Sequence, residues 1–550
     1  MTLGSSFVPA IYQPDLSWQD FIIQDPPPND DAVGMDVVFV GGGPAGLAGA
    51  IELARLVKKD KENGGNLGNV EIGVLEKASA LGGHSLSGAV INPVSLKMLF
   101  PELEMKDFPF RGAVKGDSVY VLTESKSICI PTPPTMHNTG NYLASICEVV
   151  RWLGGKAEEL GINLLTSFPA DSLLVKDNSV IGVRTTPAGL NREGQPGAQY
   201  MPPTDVLSQI TVLTEGTRGP LTQAYLNWQK IEPESPQIYA LGVKEIWRVK
   251  SSPTLVTHTM GWPLPTDAFG GSFMYPLGDD LVAIGLVVGL DYRQSSLDVH
   301  QLLQKLKKHP LFNQYLEGGE VIEWGAKTIP EGGYHSFPQR FHGSGLLMAG
   351  DCVGMVNVPA LKGIHYAILS GIHSARAAFD ALKAKDTSAK ALSGYDQLIK
   401  SSVIHSDLYK VRNMRQAFKS GFYLGGFKAA LMSASGGSLF GGAVSFEEDA
   451  EEPKIFTPGE KGDGLSKVDA VYLSGNKTRD DIPSHLIVGK EVPPDVAEFY
   501  IHVCPAGVYE KQGDKLVVNA PNCVDCKATD VLGPRWKPRE GGSGPNYNLM

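Results

Sequence analysis

The chain has 550 residues, 42% hydrophobic and 20% charged, an ordinary globular balance that suits roughly two or three domains with substantial cores. Its formal net charge of -10 excludes a general nucleic-acid binder, because phosphate-rich partners are repelled. Six cysteines in a chain of this length do not make a disulfide framework.

The first 34 residues carry five Asp, five Pro and no Lys or Arg. That is neither a secretory signal nor an Arg-rich transit peptide, and the expectation is a cytoplasmic-side or already processed protein. Residues 36–40 predict a short buried strand. Gly41, Gly42 and Gly43 then make a turn, and the run from Pro44 through Leu47, Ile51, Leu53 and Leu56 predicts a helix. G-x-G-x-x-G falls on Gly41, Gly43 and Gly46, where a dinucleotide site needs a tight turn, close approach to a pyrophosphate and close helix–strand packing. The helix N-terminus adds unpaired N–H groups and partial positive charge. Residues 70–75 read as the second strand, ending at Glu76, whose carboxylate suits a ribose hydroxyl. The intervening residues 58–69, charged and rich in Gly and Asn, read as a surface insertion.

Residues 77–93 form a second glycine-rich turn suited to wrapping a cofactor. Residues 108–141 predict short strands and a proline-rich loop, and residues 142–160 an amphipathic helix. Strands are expected at 162–166, 172–176, 180–185 and 210–213, the last running into Glu215-Gly216-Thr217-Arg218-Gly219. Residues 237–324 are β-rich, with little helix outside 297–307, and read as a sheet domain inserted into the nucleotide-binding one. Residues 345–351 return to a buried strand, followed by a loop and a helix over 364–382; residues 383–414 continue largely helical. Residues 421–446 are glycine- and serine-rich, uncharged beyond Lys428, and short of the ~20 predominantly apolar residues of a spanning helix. They suit a surface-lying membrane contact or a packed segment. Residues 447–452 read as an acidic linker.

Gly350-Asp351, on that late strand before a glycine-bearing loop and helix, is the second nucleotide signature. An Asp there accepts from a ribityl hydroxyl and the helix N-terminus faces the flavin N1/C2 carbonyl, so the pair of signatures favours FAD over NAD. Near the C-terminus, Cys504-Pro505 is followed by Cys523-Val524-Asp525-Cys526. Cys-Pro with C-x-x-C is the grammar of ferredoxin-type iron–sulfur ligation; zinc could use the same thiolates.

These features resemble the electron transfer flavoprotein–ubiquinone oxidoreductase family over residues 35–550. The resemblance is carried by VGGGPAGLAGAIELARL, LEKASALGGHSLSGAVINP, HTMGWPLPTDAFGGSFMY, VAIGLVVGLDY, NVPALKGIHYAILSG, CPAGVYE, NCVDCK and EGGSGPNYNLM, in the same order. It implies an α/β fold: a FAD-binding Rossmann-like domain with an inserted β-rich quinone-binding domain and a small C-terminal ferredoxin-like iron–sulfur domain. The expected divisions are an N-terminal extension over 1–34, a first FAD-binding part over 35–235 with membrane- and quinone-side loops near 108–141, and the quinone-binding domain over 236–335. The FAD-binding return and a membrane-facing helical segment follow over 336–446, then the iron–sulfur domain over 447–550.

The resemblance further implies an electron-transferring-flavoprotein dehydrogenase that takes single electrons from electron transfer flavoprotein through a [4Fe-4S] cluster and FAD, and delivers two to ubiquinone. It would be monotopic, on the cytoplasmic face of a bacterial inner membrane or the matrix face of the mitochondrial one. Gly41, Gly43, Gly46 and Glu76 match the ADP-binding part, and Gly350, Asp351 and the loop from Asn357 to Gly363 the flavin side. Gly270 and Gly271 match the amides that meet a quinone carbonyl, and Cys504, Cys523 and Cys526 match three cluster ligands. No acid–base triad is required, so His84, His258 and His365 are read as packing or hydrogen-bonding residues, and 108–110 with 129–136 as loops that dip into the bilayer.

Two departures stand out. The family pattern is C-x-x-C-x-x-C, and its last cysteine is Thr529 here. Three thiolates hold a [3Fe-4S] cluster, or a four-iron one if water, Thr529 or Asp530 completes it; Cys352 belongs to the flavin loop instead. Residues 422–446 are also less aromatic than the family's membrane-facing helix. The competing readings are an NAD(P)H-dependent FAD reductase or hydroxylase of the same fold, and a flavin-binding docking subunit without cluster relay.

Overall fold

The computed structural model describes residues 4–550 except Ala89, Ser438, Phe440, Gly441, Glu460, Lys461 and Asp514. Of the sequence expectations, parts of residues 77–93 and 421–446 fall on these positions and lie outside the described residues.

The larger sheet runs Asn163–Thr166, Ile72–Glu76, Val33–Val40, Asp205–Leu213, Ser179–Thr185, Ala170–Lys176 and Ile22–Gln24, with Leu346–Met348 beside Asp205–Leu213. The first four of these strands and Leu346–Met348 are mutually parallel. Parallel neighbours need a crossover, which helix Pro44–Glu62 supplies between Val33–Val40 and Ile72–Glu76. The helix continues to Glu62, so the charged stretch from Lys58 begins helical rather than as loop; Lys59 and Lys61 sit in its last turn, where cations favour the helix dipole. Helix Ile364–Ala384 packs against it so closely that a Cβ on Gly371 would lie 2.1 Å from the Ala45 carbonyl. The expected helix over 142–160 divides: Tyr142–Leu143 is a strand, and the helix starts at Ile146, with Ser145 Oγ accepting from the Glu148 amide.

The second sheet has seven strands in the order Glu320–Pro330, Tyr239–Arg248, Leu281–Gly289, Gly270–Gly278, Val256–Gly261, Asp117–Leu122 and Ser127–Ile130. Its last two strands are the short strands expected within residues 108–141, which the sequence did not assign to this sheet; Asp117–Leu122 joins in parallel to Val256–Gly261. Directly opposed residues share a face. His258, Phe273, Gly285, Lys244 and Gly325 form one such row, and Gly271, Val287, Gly242 and Lys327 the next. The opposite face, with Val243, Ile284, Leu286 and Trp324, packs in one apolar core with helices Val299–Lys307 and Pro310–Leu316 and with residues 496–536.

The ends of the chain are stitched to this body. Ser6–Phe7 pairs with Lys454–Ile455, and Ile22–Gln24 closes one edge of the larger sheet. The expected acidic linker is instead pinned: Asp449 is buried and accepts the Tyr239 amide at 2.7 Å. Among the described residues, no helix is long and apolar enough to cross a membrane.

Candidate functional site

A cavity of about 1000 Å3 runs between the two sheets. At one end are the carboxyl ends of the parallel strands, where open α/β sheets bind ligands. Gly41 has φ +113°, and a Cβ there would lie 2.4 Å from the Thr214 carbonyl; one on Gly46 would lie 2.1 Å from the Gly41 carbonyl. A Cβ on Gly43 meets nothing within 4 Å, and Gly43 lines the cavity, which leaves the room a pyrophosphate needs. Glu76 Oε2 accepts from the Gly42 amide at 2.9 Å and Oε1 from the Ala78 amide at 2.7 Å. These bonds fix the carboxylate at the cavity wall with lone pairs to spare for a diol.

Further along, Gly350 sits at φ +78°, beside a partly buried Asp351 whose Oδ1 is shut off from solvent and has no hydrogen-bond partner among the described residues. Burial pushes the Asp351 carboxyl up to about 6. An unpartnered buried oxygen of this kind suits a hydroxyl donor such as a ribityl chain. Gly363 is the N-cap of helix Ile364–Ala384 and, like Ile364, lines the cavity. Asn357 shapes the loop that leads to Gly363: its amide nitrogen reaches the Tyr366 hydroxyl at 3.4 Å, and its Oδ1 accepts the Ala360 amide at 3.1 Å. Glu215 lines the cavity, yet its carboxylate accepts from Leu221 and Thr222 and so caps the following helix.

At the other end the lining includes Gly270, Gly271, Met414, Phe418, Gly426 and Ala429. His258 Nε2 lies 2.7 Å from the Tyr275 hydroxyl, on the sheet face that carries Gly271. Burial pushes His258 and His365 down to about 4, so both are neutral. Of the two stretches read as bilayer loops, 129–136 sends Ile130 and Met136 to the cavity wall. Residues 108–110 instead pack inward: Phe108 is buried against Trp152, and Phe110 stacks on Tyr142 at 4.7 Å. An aromatic pair flanked by Trp152 and Tyr142 gains more from its own core than from solvent exposure.

Cys504, Cys523 and Cys526 are buried together around a second, small cavity of about 20 Å3, with Thr529, Tyr509 and Trp536 also lining it. Left-handed residues, Asp525 at φ +53° and Lys527 at φ +65°, bend the C-x-x-C loop so that both its thiols face one space. The Asp525 amide donates to Cys523 Sγ at 3.4 Å, and amides of Ala506 and Val508 reach Cys504. Burial pushes the Cys523 thiol up to about 12 and raises Cys504 and Cys526 as well. Such thiols stay protonated until a metal displaces the protons, so loading releases them. Three convergent sulfurs with amide donors fit a thiolate-held metal centre.

Sequence reasoning missed what joins the two cavities. Lys527 and Trp536 line both. Two ammonium groups lie over the Trp536 ring, Lys527 at 4.5 Å and Lys77 at 4.8 Å from its centroid. The Thr328 amide, on the free edge of the second sheet, donates to the Cys526 carbonyl at 3.0 Å. Burial, reinforced by repulsion among Lys77, Lys327 and Lys527, pushes Lys527 down to about 7 and Lys327 to about 8. A cation cluster between the cavities favours anionic groups on either side. Lys77, Lys327 and Lys527 lie hundreds of positions apart in the chain, so no local pattern groups them in sequence.

Comparison with known proteins gives two family matches: "ETF-QO, ubiquinone-binding" over residues 239–329, and "Electron transfer flavoprotein-ubiquinone oxidoreductase, 4Fe-4S" over residues 464–548. Relatives named electron transfer flavoprotein-ubiquinone oxidoreductase include those of Oryza sativa, Homo sapiens and Pseudomonas aeruginosa. Each is 36% identical over 94% of this chain, covering 94%, 89% and 98% of the relative respectively. Among solved structures, a geranylgeranyl bacteriochlorophyll reductase-like protein from Thermoplasma acidophilum has TM-score 0.57 at 17% identity, covering 74% of this chain and 92% of that one. The flavin-dependent brominase Bmp2 has TM-score 0.50 at 15% identity, covering 74% and 94%. These likenesses show the mixed α/β fold of the larger part of the chain.

Proposed function

Because the chain belongs to the electron transfer flavoprotein–ubiquinone oxidoreductase family, we propose that it takes electrons from reduced electron transfer flavoprotein and passes them through an iron–sulfur centre and FAD to ubiquinone. The observation that carries the reading is the shared wall, Lys527 and Trp536, between the thiol-lined cavity and the large one. FAD supplies the step from one-electron to two-electron chemistry, since it exchanges electrons singly or in pairs.

In this reading Gly41, Gly43, Gly46 and the helix N-terminus at Pro44 hold the pyrophosphate, and Glu76 the adenosine ribose. Asp351 accepts from the ribityl chain, and Gly350 and Gly363 let the chain and helix Ile364–Ala384 approach the ring. Cys504, Cys523 and Cys526 ligate the iron–sulfur centre. Gly270 and Gly271 present backbone to a quinone carbonyl; the Tyr275 hydroxyl, backed by His258, is placed to give a proton toward it.

The FAD-binding part spans 35–235 and 336–446, the quinone-binding part 236–335 together with the two strands from residues 117–130, and the iron–sulfur part 447–550. The membrane side is the end of the cavity at helix Phe422–Ala434. Gly426 and Ala429 of that helix line the cavity, while Leu424 and Phe427 are 53% and 63% exposed. A helix that walls the cavity on one side and shows large apolar side chains on the other suits a bilayer surface and a lipid-soluble acceptor.

The test is quinone reduction by the purified chain in ubiquinone-containing liposomes, driven by enzymatically reduced electron transfer flavoprotein. Transfer that needs both the donor and the chain's iron supports the reading. Rapid flavin bleaching by NADPH under nitrogen, with no response to the reduced donor, would replace it with the NAD(P)H-dependent alternative.

A further inference from the structure

The fourth corner of the thiol site is decided by what its neighbours are already doing. Thr529 lines the cavity beside Cys504, Cys523 and Cys526, and its Oγ1 is 3.3 Å from the Tyr509 hydroxyl, itself buried. The two carboxylates nearest in sequence are committed elsewhere. Asp530 is bound by Arg218 at 2.5 Å and by the Trp536 amide at 2.9 Å, with Arg535 at 3.6 Å. Asp525 is bound by Lys77 at 2.7 Å, Arg539 at 2.9 Å and Trp536 Nε1 at 3.1 Å. Taking either carboxylate for iron would strand Arg218 or Arg539, both largely buried, without its counter-charge.

His485 is buried, with ligand atoms of itself, Cys523 and Asp525 all within 4.8 Å of one another. Its ring, however, does not line the cavity and lies 4.0 Å from Asp525. The three remaining thiols are remote in role: Cys352 Sγ donates to the Leu213 and Ala349 carbonyls, Cys147 Sγ donates to the Ser85 carbonyl, and Cys129 is exposed on strand Ser127–Ile130. Among the described residues, the site therefore offers three thiols and an alcohol.

We propose that this chain holds a cubane whose fourth iron has an oxygen ligand, from Thr529 or solvent, in place of a thiolate, and that this iron is exchangeable. The inference rests on the iron–sulfur reading of the site. Three irons are each anchored by one of Cys504, Cys523 and Cys526. The fourth faces a hydroxyl, a weaker and more labile donor than thiolate toward iron. An outside oxidant such as ferricyanide or dioxygen takes one electron from [4Fe-4S]2+, giving [4Fe-4S]3+. The cubane then releases Fe2+ and leaves [3Fe-4S]+, so charge and iron balance. Anaerobic addition of Fe2+ and one electron from dithionite reverses the step. Tyr509 sits where its hydroxyl can hold the Thr529 hydroxyl or a replacing water.

The experiment uses the full chain, purified anaerobically, with iron and sulfide analysis and electron paramagnetic resonance before and after one-electron oxidation by ferricyanide. The expected result is loss of one iron in four with sulfide retained, appearance of the near-isotropic signal of an oxidised three-iron cluster, and its reversal by Fe2+ with dithionite. Thr529→Cys is expected to keep all its iron through the same oxidation. In the signal of the dithionite-reduced [4Fe-4S]+ cluster, line broadening in water enriched in the magnetic oxygen isotope assigns the ligand to solvent; unbroadened lines that change in Thr529→Ala assign it to the side chain. Four irons retained by the unaltered chain overturn the proposal while leaving the iron–sulfur reading intact, and nitrogen hyperfine coupling lost in His485→Ala would give the corner to His485 instead. Protein lacking iron and sulfide altogether sinks the underlying reading, and the proposal with it.

Discussion

Lys77 and Asp525 stand 448 positions apart in the chain and meet at 2.7 Å. Lys77 directly follows Glu76 of the proposed nucleotide site, and Asp525 lies between Cys523 and Cys526. One ion pair thereby fixes the thiol loop against the nucleotide loop. Arg539 at 2.9 Å completes the charge balance, and burial of Asp525 is outweighed by these cations, so its carboxyl stays well below the ordinary carboxylate range.

Removing the buried end of this pair is expected to hurt more than removing the half-exposed end. Asp525→Ala strands Arg539 and Lys77, a loss of about 3–5 kcal/mol. Lys77→Met leaves Asp525 with Arg539 and Trp536, for about 1–2 kcal/mol. Denaturant midpoints of the two variants check the order, and equal or reversed losses would count against the clamp.

The glycines of the nucleotide turn are expected to separate folding from binding. Gly43→Ala adds a Cβ that meets nothing within 4 Å, whereas Gly46→Ala drives one to 2.1 Å from a backbone carbonyl. Gly43→Ala should keep its thermal midpoint and lose flavin affinity about tenfold or more, at least ~1.4 kcal/mol. Gly46→Ala should lose both. Flavin content after gel filtration, beside apoprotein melting curves, reads the difference.

Acid should weaken the fold well before carboxylates titrate. Burial holds His258, His365 and His373 down to about 4, against an ordinary 6.5. Below 6.5 the unfolded chain takes up protons that the folded chain refuses until about 4, so stability falls as pH drops through that window. Among the described residues, neither ring nitrogen of His373 has a hydrogen-bond partner. His373→Leu should therefore flatten the slope of thermal midpoint against pH; an unchanged slope would show that His373 is not part of it.

The exposed face of helix Phe422–Ala434 is expected to carry membrane affinity without carrying stability. Leu424→Glu with Phe427→Glu changes side chains that are more than half exposed, so the melting temperature should move little. Co-sedimentation with anionic or neutral liposomes should drop at least tenfold. Unaltered sedimentation would remove this helix from the contact.

Periodicity and glycine placement made much of this molecule legible. The strand Val33–Val40, the turn at Gly41 and the helix from Pro44 are local events, dictated by short-range sterics and a repeating apolar face. So is the paired-cysteine grammar, since residues three apart on a tight turn face one space. The departure at Thr529 is equally a one-letter fact, and the family followed from motifs in fixed order.

What one-dimensional pattern could not reveal was partnership across the chain. Strands Asp117–Leu122 and Ser127–Ile130 enter the second sheet because Val256–Gly261 has an open edge, and hydrogen-bond partners of that kind leave no trace in spacing. Phe108 and Phe110 turn inward because Trp152 and Tyr142 happen to be there. Asp449 is buried because an amide 210 residues earlier needs an acceptor. The wall of Lys527 and Trp536 between the cavities is also of this class. Motifs record what a residue can do; whether an electron has a short path between two centres depends on which loops pack together, and packing is settled by the burial of the whole chain.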